Sequence, residues 1–280
     1  MRIALLQMTS GIDPAVNAAT MVAAVSEAAS GGATMLFTPE MSGLIDQDRE
    51  RAKTSVRQES DDIVLAAVCE AAAKHSIWVH IGSLAIDPRR PDGKYANRAF
   101  VIDSKGEAVA RYDKIHLFDV DLPSGESWRE SGAYAGGDEA VVVETPVGTL
   151  GLSICYDLRF PALYAALSEA GATVLAIPAA FTVPTGKAHW HILMRARAIE
   201  NACFVIAAAQ TGHHQDGRDT YGHSLVVGPW GDVLLDMGDA AGLGFCEIDS
   251  AQVNAVRSRI PVIAHRRAIN RVAIGAMPRA

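Results

Sequence analysis

The chain has 280 residues, of which 49% are hydrophobic and 20% charged, and its formal net charge is −7. This composition excludes a disordered chain, and an acidic balance without a Lys/Arg run disfavours binding to nucleic acid or anionic lipid. The longest apolar stretches are about ten residues, whereas a membrane-spanning helix needs about 20. We therefore expect a folded domain with neither a nucleic-acid nor a membrane partner.

The first apolar segment, 2–7, lacks the long hydrophobic region and cleavage site of a signal peptide, so it predicts a first strand. Four cysteines are widely spaced and form no CxxC pair, which favours reduced thiols and a cytoplasmic location over a disulfide framework or a zinc knuckle. They are Cys69, Cys155, Cys203 and Cys246.

Strands and helices alternate along the rest of the chain. Four short, continuously apolar segments are typical of strands covered on both faces, at 35–38, 78–83, 174–177 and 204–209. Apolar spacing and capping residues predict helices over 14–30, 61–75, 161–170 and 187–202. Turn chemistry predicts hairpin turns at 103–106 and 228–231.

The two halves of the chain resemble each other in three blocks that keep their order. The matched segments are 3–8 with 150–155, 26–40 with 168–179, and 97–109 with 222–234. Each half must bury a sheet against the other and carry its helices outside. The repeat predicts a single α/β domain over 1–280, a four-layer α-β-β-α sandwich with an internal pseudo-two-fold, ending in a C-terminal arm at about 262–280.

Three reactive side chains stand where strands are expected to end: Glu40, Lys114 and Cys155. The carboxyl ends of strands build the site in many α/β sheets. In the repeat, Glu40 corresponds to Ala179 and Cys155 to Met8. The reactive residues thus break a symmetry that the framework keeps, which is expected if they serve chemistry.

These residue types fit nucleophilic catalysis. Cys155 is the candidate nucleophile, and a following helix N-terminus and a nearby ammonium are expected to favour its thiolate. Glu40 can take the thiol proton and later activate water. Lys114 can stabilise the oxyanion and assist the leaving group, and the backbone N–H of Tyr156 would lie near the same oxyanion.

Three segments resemble the signatures of the nitrilase superfamily of carbon–nitrogen hydrolases: FTPE at 37–40, YDKIHL at 112–117 and ICYDLRFP at 154–161. The resemblance covers about residues 2–267. It implies a Glu40–Lys114–Cys155 triad, a Cys155 thioester and the four-layer sandwich, in homodimers or larger homo-oligomers. It also implies a fourth residue, Glu130 in the segment WRES, which would orient the substrate and hold Lys114.

Later segments resemble the branch of this family that hydrolyses deaminated glutathione, and next the ω-amidases acting on α-ketoglutaramate. They are 160–161, 185–190, 195–201, 207–210 and 221–231. The resemblance implies a cofactor-free amidase that cleaves the C–N bond of a small carboxylate-bearing amide and releases ammonia.

Substrate contacts are expected from Tyr156, Arg159, Phe181 and Thr185. A guanidinium can grip a carboxylate with two hydrogen bonds, and the hydroxyl of Thr185 could add a third. The other interpretation of Arg159 is a structural ion pair with Asp157 or Glu200.

Two alternatives remain open: an N-carbamoyl amino acid hydrolase, and a non-catalytic interaction module on the same scaffold. The chain departs from the family at Lys187, which either adds positive charge to the pocket or faces solvent.

The sequence predicts neither a cofactor nor a metal site. It contains no nucleotide-binding motif. His213 and His214 are adjacent, so on a strand they point apart, and as loop residues they would lie at a rim. His189 and His191 are two apart on a predicted helix and do not share a face. We expect His223 to form structural hydrogen bonds.

Overall fold

The computed structural model describes residues 1–121, 125, 127–269 and 271–274. Its strands are β1 Arg2–Gln7, β2 Met35–Phe37, β3 Trp78–Ile86, β4 Ala96–Ile102, β5 Ala108–Asp113, β6 Asp119–Asp121, β7 Ser127–Arg129, β8 Val142–Thr145, β9 Gly148–Leu152, β10 Val174–Ala176, β11 Phe204–Ala207, β12 Thr211–His213, β13 Asp219–Tyr221, β14 Leu225–Val227, β15 Val233–Asp236 and β16 Gly242–Glu247. Its α-helices are α1 Pro14–Ser30, α2 Arg49–Lys53, α3 Ile63–His75, α4 Pro161–Glu169, α5 Val183–Asn201 and α6 Ala251–Arg259.

Twelve of these strands form two sheets with the same internal order. One sheet runs β16-β1-β2-β3-β4-β5 and the other β8-β9-β10-β11-β14-β15. In each, three parallel strands are flanked by antiparallel ones. The strand order confirms the predicted internal repeat, and two short hairpins, β6–β7 and β12–β13, are added to it.

Side-chain alternation along the strands explains the four layers. On β1, Ala4 and Leu6 pack with the buried residues of α1 and α3, whereas Ile3 and Leu5 belong to the core shared with the second sheet. Since successive side chains on a strand point to opposite faces, each sheet is covered on both sides. Helices α4 and α5 pack on the second sheet through Tyr164 and Trp190. The α-β-β-α prediction is therefore confirmed.

Local signals explain where the helices begin. The helix predicted over 14–30 is α1 itself, with Pro14 in its first turn. Helix α3 starts at Ile63 because the Asp62 carboxylate accepts hydrogen bonds from the next backbone N–H groups at 2.8 and 3.0 Å. The boundary predicted at 187 was wrong: α5 begins at Val183, with Pro184 in its first turn.

The last strand of the described chain belongs to the first sheet. Strand β16 pairs antiparallel with β1, and α6 follows it. Beyond α6, the Arg266 guanidinium donates to the Ala165 carbonyl at 2.9 Å and to Asn201 Oδ1 at 3.0 Å. The predicted arm thus starts against α4 and α5, and its residues 270 and 275–280 lie outside the described part of the chain. No described helix is long and apolar enough to cross a membrane.

Candidate active site

Four acidic, basic and thiol side chains from different elements meet in one cavity of about 590 Å³. Glu40 lies in the loop after β2, and Lys114 directly follows β5. Cys155 begins a 3₁₀-helix, Cys155–Arg159, after β9, and Glu130 begins another, Glu130–Gly132, after β7. The structure therefore brings together the four residues that the sequence singled out, in a cavity of the size that small ligands occupy.

Lys114 is held between two carboxylates. Its Nζ lies 2.9 Å from Glu40 Oε1 and 2.9 and 3.1 Å from the two carboxylate oxygens of Glu130. The residue is only 2% exposed. Burial opposes its charge, yet the carboxylates of Glu130 and Glu40 outweigh burial and raise the pKa of Lys114 well above its usual value. The side chain is thus a fixed ammonium.

Glu40 is a buried carboxylate with a donor on each oxygen. Oε1 accepts from Lys114 and from Asn97 Nδ2 at 3.0 Å, and Oε2 accepts from the backbone N–H of Ala180 at 2.9 Å. Burial raises its pKa, but the charge of Lys114 and the hydrogen bonds from Lys114 and Asn97 bring the net pKa below the usual value. Glu40 is therefore ionised and able to accept a proton.

Asn97 is a site residue that sequence reasoning missed. It lies on β4, is 1% exposed, and its Nδ2 also donates to Glu130 Oε1 at 3.0 Å. One amide thus ties together the two carboxylates that hold Lys114. A signal existed, since Asn97 corresponds to Gly222 in the repeat and breaks the symmetry just as Glu40 does.

Cys155 sits at a sharp turn with a left-handed backbone, φ +49°. Its N–H donates to the Pro178 carbonyl at 2.8 Å, while Tyr156, in the first turn of the 3₁₀-helix, has no intrahelical acceptor for its own N–H. Burial and the Glu40 carboxylate raise the pKa of the Cys155 thiol well above its usual value, despite Lys114. The expected thiolate was therefore wrong, because desolvation and a neighbouring anion outweigh the ammonium.

Asp157 holds this turn from below and is fully buried. Its carboxylate accepts hydrogen bonds from Tyr112 Oη at 2.7 Å and from the backbone N–H groups of Ile154 and His116 at 2.9 and 3.0 Å. His116 Nδ1 lies 2.7 Å away, and its ring stacks on Phe160. In the sequence analysis Asp157 appeared only as an alternative ion-pair partner of Arg159. In the structure its carboxylate fixes the backbone between β9 and the 3₁₀-helix that begins at Cys155.

The predicted substrate contacts all line the cavity: Tyr156, Arg159, Phe181 and Thr185. The Arg159 guanidinium lies over the rings of Phe181 and Tyr156, at 5.6 and 5.9 Å, and within 3.3 Å of His189 Nδ1. The structural interpretation of Arg159 was wrong, since Asp157 binds His116, and Glu200 pairs with Arg197 at 2.6 Å. Its charge is left facing the cavity.

The remaining candidates lie elsewhere. Lys187 is exposed and is absent from the described lining of the cavity, so it faces solvent. His214 is not the predicted rim residue: it is fully buried, between the Ser10 carbonyl at 2.9 Å and Thr220 Oγ1 at 2.7 Å. His213 is exposed and pairs with Asp219.

Comparison with known proteins decides the family. The carbon–nitrogen hydrolase family model matches residues 2–258. The chain is a carbon–nitrogen hydrolase. A deaminated glutathione amidase of Yersinia enterocolitica is 38% identical to it over 96% of this chain and 93% of the relative.

Solved structures agree with this family assignment. The Caenorhabditis elegans NitFhit protein superposes on this hydrolase with a TM-score of 0.87 and 40% identity, over 95% of this chain but 65% of that longer chain. An amidase variant from Nesterenkonia sp. AN1 has a TM-score of 0.80 and 28% identity, over 95% of this chain and 94% of its own. That structure shows covalent addition of the acetamide moiety of fluoroacetamide at the active site cysteine.

Proposed function

We propose that this hydrolase is a cysteine amidase acting on small carboxylate-bearing amides of the deaminated glutathione type. The observation that carries the proposal is the cluster of Glu40, Lys114 and Glu130 beside Cys155 in one cavity, with the Arg159 guanidinium in its wall. The relatives named deaminated glutathione amidase support the substrate class.

The proton transfers of the acylation step follow from the charge states of Cys155, Glu40 and Lys114. Cys155 is a thiol at rest, so its attack on the amide carbon requires the Glu40 carboxylate to take the proton as the C–S bond forms. The resulting oxyanion is stabilised by the Lys114 ammonium and the N–H of Tyr156. The protonated Glu40 then gives its proton to the leaving nitrogen, and a Cys155 thioester remains.

Deacylation reuses the same base. Glu40 takes a proton from water, whose oxygen attacks the thioester carbon, and the Cys155 sulfur leaves and is reprotonated. Lys114 remains charged because its two carboxylate partners hold its proton, so in this scheme it acts through charge and Glu40 moves the protons. The leaving group is ammonia from a primary amide and an amine from a secondary amide.

The charges of the cavity wall favour an anionic substrate. Within the described residues, three cationic side chains of the wall have no carboxylate within ion-pair distance: Arg49, Lys94 and Arg159. Burial beside uncompensated positive charge stabilises a carboxylate. Arg159 ends the 3₁₀-helix that Cys155 begins, and both line the cavity, so Arg159 is placed to bind the carboxylate of the acyl part.

The nucleophile is tested by Cys155→Ala, with Cys69→Ala on α3 as the matched control. We expect Cys155→Ala to lower kcat by at least about a thousandfold with an unchanged circular dichroism spectrum, and Cys69→Ala to keep full activity. Quenched wild-type turnover should yield the Cys155 peptide with the mass of the acyl group. Turnover by Cys155→Ala would refute the assignment, and an inactive wild type would favour the interaction module.

The substrate class is tested with four amides at equal concentration: deaminated glutathione, α-ketoglutaramate, an N-carbamoyl amino acid and propionamide. We expect the highest kcat/KM for deaminated glutathione, measured by 2-oxoglutarate formation, and the lowest for uncharged propionamide. A faster N-carbamoyl substrate would replace this proposal by the alternative hydrolase.

We further propose a homodimeric or larger assembly, which the family resemblance implies, and a cytoplasmic location, which the four free cysteines of the described chain support. The single domain over 1–280 with an arm at 262–280 likewise stays a prediction. Light scattering coupled to size-exclusion chromatography tests the assembly; a monomer at micromolar concentration would refute it. Limited proteolysis tests the arm, which should be cut at its exposed residues 267–269 before any other cut.

A further inference from the structure

Two imidazoles and a carboxylate meet outside the catalytic cavity. His191 is on α5, His223 lies in the loop before β14, and Asp236 ends β15. His191 Nε2 is 2.9 Å from Asp236 Oδ2, and His223 Nδ1 is 2.9 Å from Asp236 Oδ1. One potential ligand atom from each residue lies within 4.8 Å of the others.

We propose that His191, His223 and Asp236 bind a Zn²⁺ ion or a similar borderline transition-metal ion. Two imidazole nitrogens and a carboxylate oxygen are a donor set that suits zinc, with water as the fourth ligand. Bonds of about 2.0 Å place the ligand atoms of a tetrahedral ion roughly 3.3 Å apart. In the structure each imidazole contacts a different oxygen of Asp236 at 2.9 Å, and one ligand atom from each residue lies within 4.8 Å of the others, so side-chain rotations have to bring three ligand atoms to this spacing around the ion.

The three side chains are accessible to an ion. Their exposed fractions are 33% for His191, 26% for His223 and 32% for Asp236. Each is thus partly covered by protein, which fixes it, and partly open to solvent, which leaves a position for water.

Neighbouring groups fix the orientation of these side chains. Trp190 Nε1 donates to the His223 carbonyl at 2.8 Å, and the Tyr221 ring stacks on the His223 ring at 4.5 Å. The Gly238 N–H donates to Asp236 Oδ1 at 3.0 Å. Such supporting contacts orient ligands before the metal arrives and raise its affinity.

The repeat gives an internal comparison. The positions of the first half that correspond to His223 and Asp236 are Arg98 and Arg111, and both bind Glu59, at 3.2 and 2.7 Å. A guanidinium stays protonated and has no lone pair for a metal. The second half has nitrogen and oxygen ligands at these positions, and no other His/Cys/Asp/Glu trio in the described residues is as closely grouped.

A bound ion would join α5 to the β14–β15 hairpin. Trp190, the neighbour of His191, packs edge-to-face on Phe181 of the cavity wall at 5.0 Å. Binding only to the folded state raises Tm by mass action. We therefore expect Zn²⁺ to stabilise the protein without entering the catalytic chemistry.

The test is a calorimetric Zn²⁺ titration of full-length, chelator-treated Cys155→Ala protein, which removes the active-site thiol as a competitor. We expect one equivalent to bind and Tm to rise. Adding His223→Asn or Asp236→Asn should weaken binding by at least about tenfold. Asparagine suits the left-handed backbone at 223, φ +57°, so the fold should persist. Cobalt substitution should give d–d absorption without a thiolate charge-transfer band.

His213→Gln is the matched control, because His213 forms an exposed pair with Asp219 at 2.9 Å that belongs to no close His/Cys/Asp/Glu trio among the described residues. It should bind Zn²⁺ like the parent. The proposal is overturned if the parent shows no saturable binding, if His223→Asn and Asp236→Asn bind as tightly as the parent, or if His213→Gln alone abolishes binding. The trio would then be a hydrogen-bonded cluster only.

Discussion

At the residue scale, the amide of Asn97 explains how two glutamates share one lysine. Glu40 and Glu130 would repel each other, and Lys114 supplies one positive charge between them. Asn97 Nδ2 has two hydrogens and donates one to each carboxylate, at 3.0 Å in both cases. It therefore stabilises both anions without adding charge, which identifies it as a positioning residue.

Asn97→Ala should lower kcat by about ten- to a hundredfold and leave KM nearly unchanged. Because the Asn97 hydrogen bond lowers the pKa of Glu40, its loss should shift the acidic limb of the kcat/KM profile to higher pH. The pH profile separates this role from a structural one. A reduced kcat with an unmoved acidic limb would contradict it.

Arg159 should determine how well acidic amides bind. In our scheme it makes two hydrogen bonds to the substrate carboxylate, which Lys can replace only by a point charge. Arg159→Lys should raise KM for α-ketoglutaramate by about tenfold, and Arg159→Gln by more, with kcat much less affected. Propionamide is the control substrate. An equal change of its KM would show that Arg159 shapes the cavity and does not bind the carboxylate.

The sequence predicted the reactive residues but not their electrostatic states. Glu40, Lys114, Cys155 and Glu130 stood in recognisable segments, and all reach one cavity. The protonated Cys155 was missed because its pKa depends on burial and on the distance to Glu40, which chain order does not encode. The hydrogen bond expected of His223 is formed, but its partner Asp236, 2.9 Å away, lies on another element and could not be named from the sequence.

At the element scale, β3 positions the loop that carries Glu40. Its pairing with β4 shifts register between Ile81 and Leu84, and Gly82 lies in this irregular part. A Cβ at Gly82 would be 2.2 Å from the Thr38 carbonyl oxygen and 2.5 Å from the Pro39 carbonyl carbon. Only a glycine lets the strand approach this closely. The hydrophobic pattern predicted the strand but not this contact.

Gly82→Ala should therefore lower the free energy of unfolding by roughly 1–3 kcal/mol, because the backbone at 38–39 has to move. It should also lower kcat, since Glu40 follows directly. Gly11→Ala is the control: its Cβ would meet no backbone atom, only the ends of two side chains, Gln215 at 3.1 Å and Asn17 at 4.0 Å. Urea denaturation and steady-state kinetics measure both effects. If Gly82→Ala were as stable as the wild type, the backbone at 38–39 would be able to move without a loss of stability, and the prediction would be wrong.

At the scale of the whole molecule, the two equivalent sheets differ in their reactive side chains, and the described residues of the proposed catalytic site are not repeated at the corresponding positions of the other half. Met8 and Ala179 occupy the places that correspond to Cys155 and Glu40, and both are buried apolar side chains. The symmetric framework was predictable because strand order follows hydrophobic pattern and repeats. The pH dependence of the protein's stability was not predictable in this way, because it depends on which polar side chains become buried when the two sheets pack together.

His80 is the clearest such group. It lies on β3 between Val79 and Ile81, which face the helices, so its ring faces the second sheet beside Phe37, at 5.6 Å. Its Nε2 has no hydrogen-bond partner in the described structure. Burial lowers the pKa of His80 to about 3 from the usual 6.5.

The free energy of unfolding should therefore fall as the pH is lowered. Below pH 6.5 the imidazole of His80 becomes protonated in the unfolded chain. In the folded protein the same imidazole stays neutral until about pH 3. The free energy of unfolding then falls by about 1.4 kcal/mol per pH unit from this group alone. His80→Leu should remove that slope between pH 6 and pH 4, whereas exposed His213→Gln should keep it. Denaturant unfolding at several pH values measures the difference; equal slopes in His80→Leu and wild type would mean that the folded protein admits the proton.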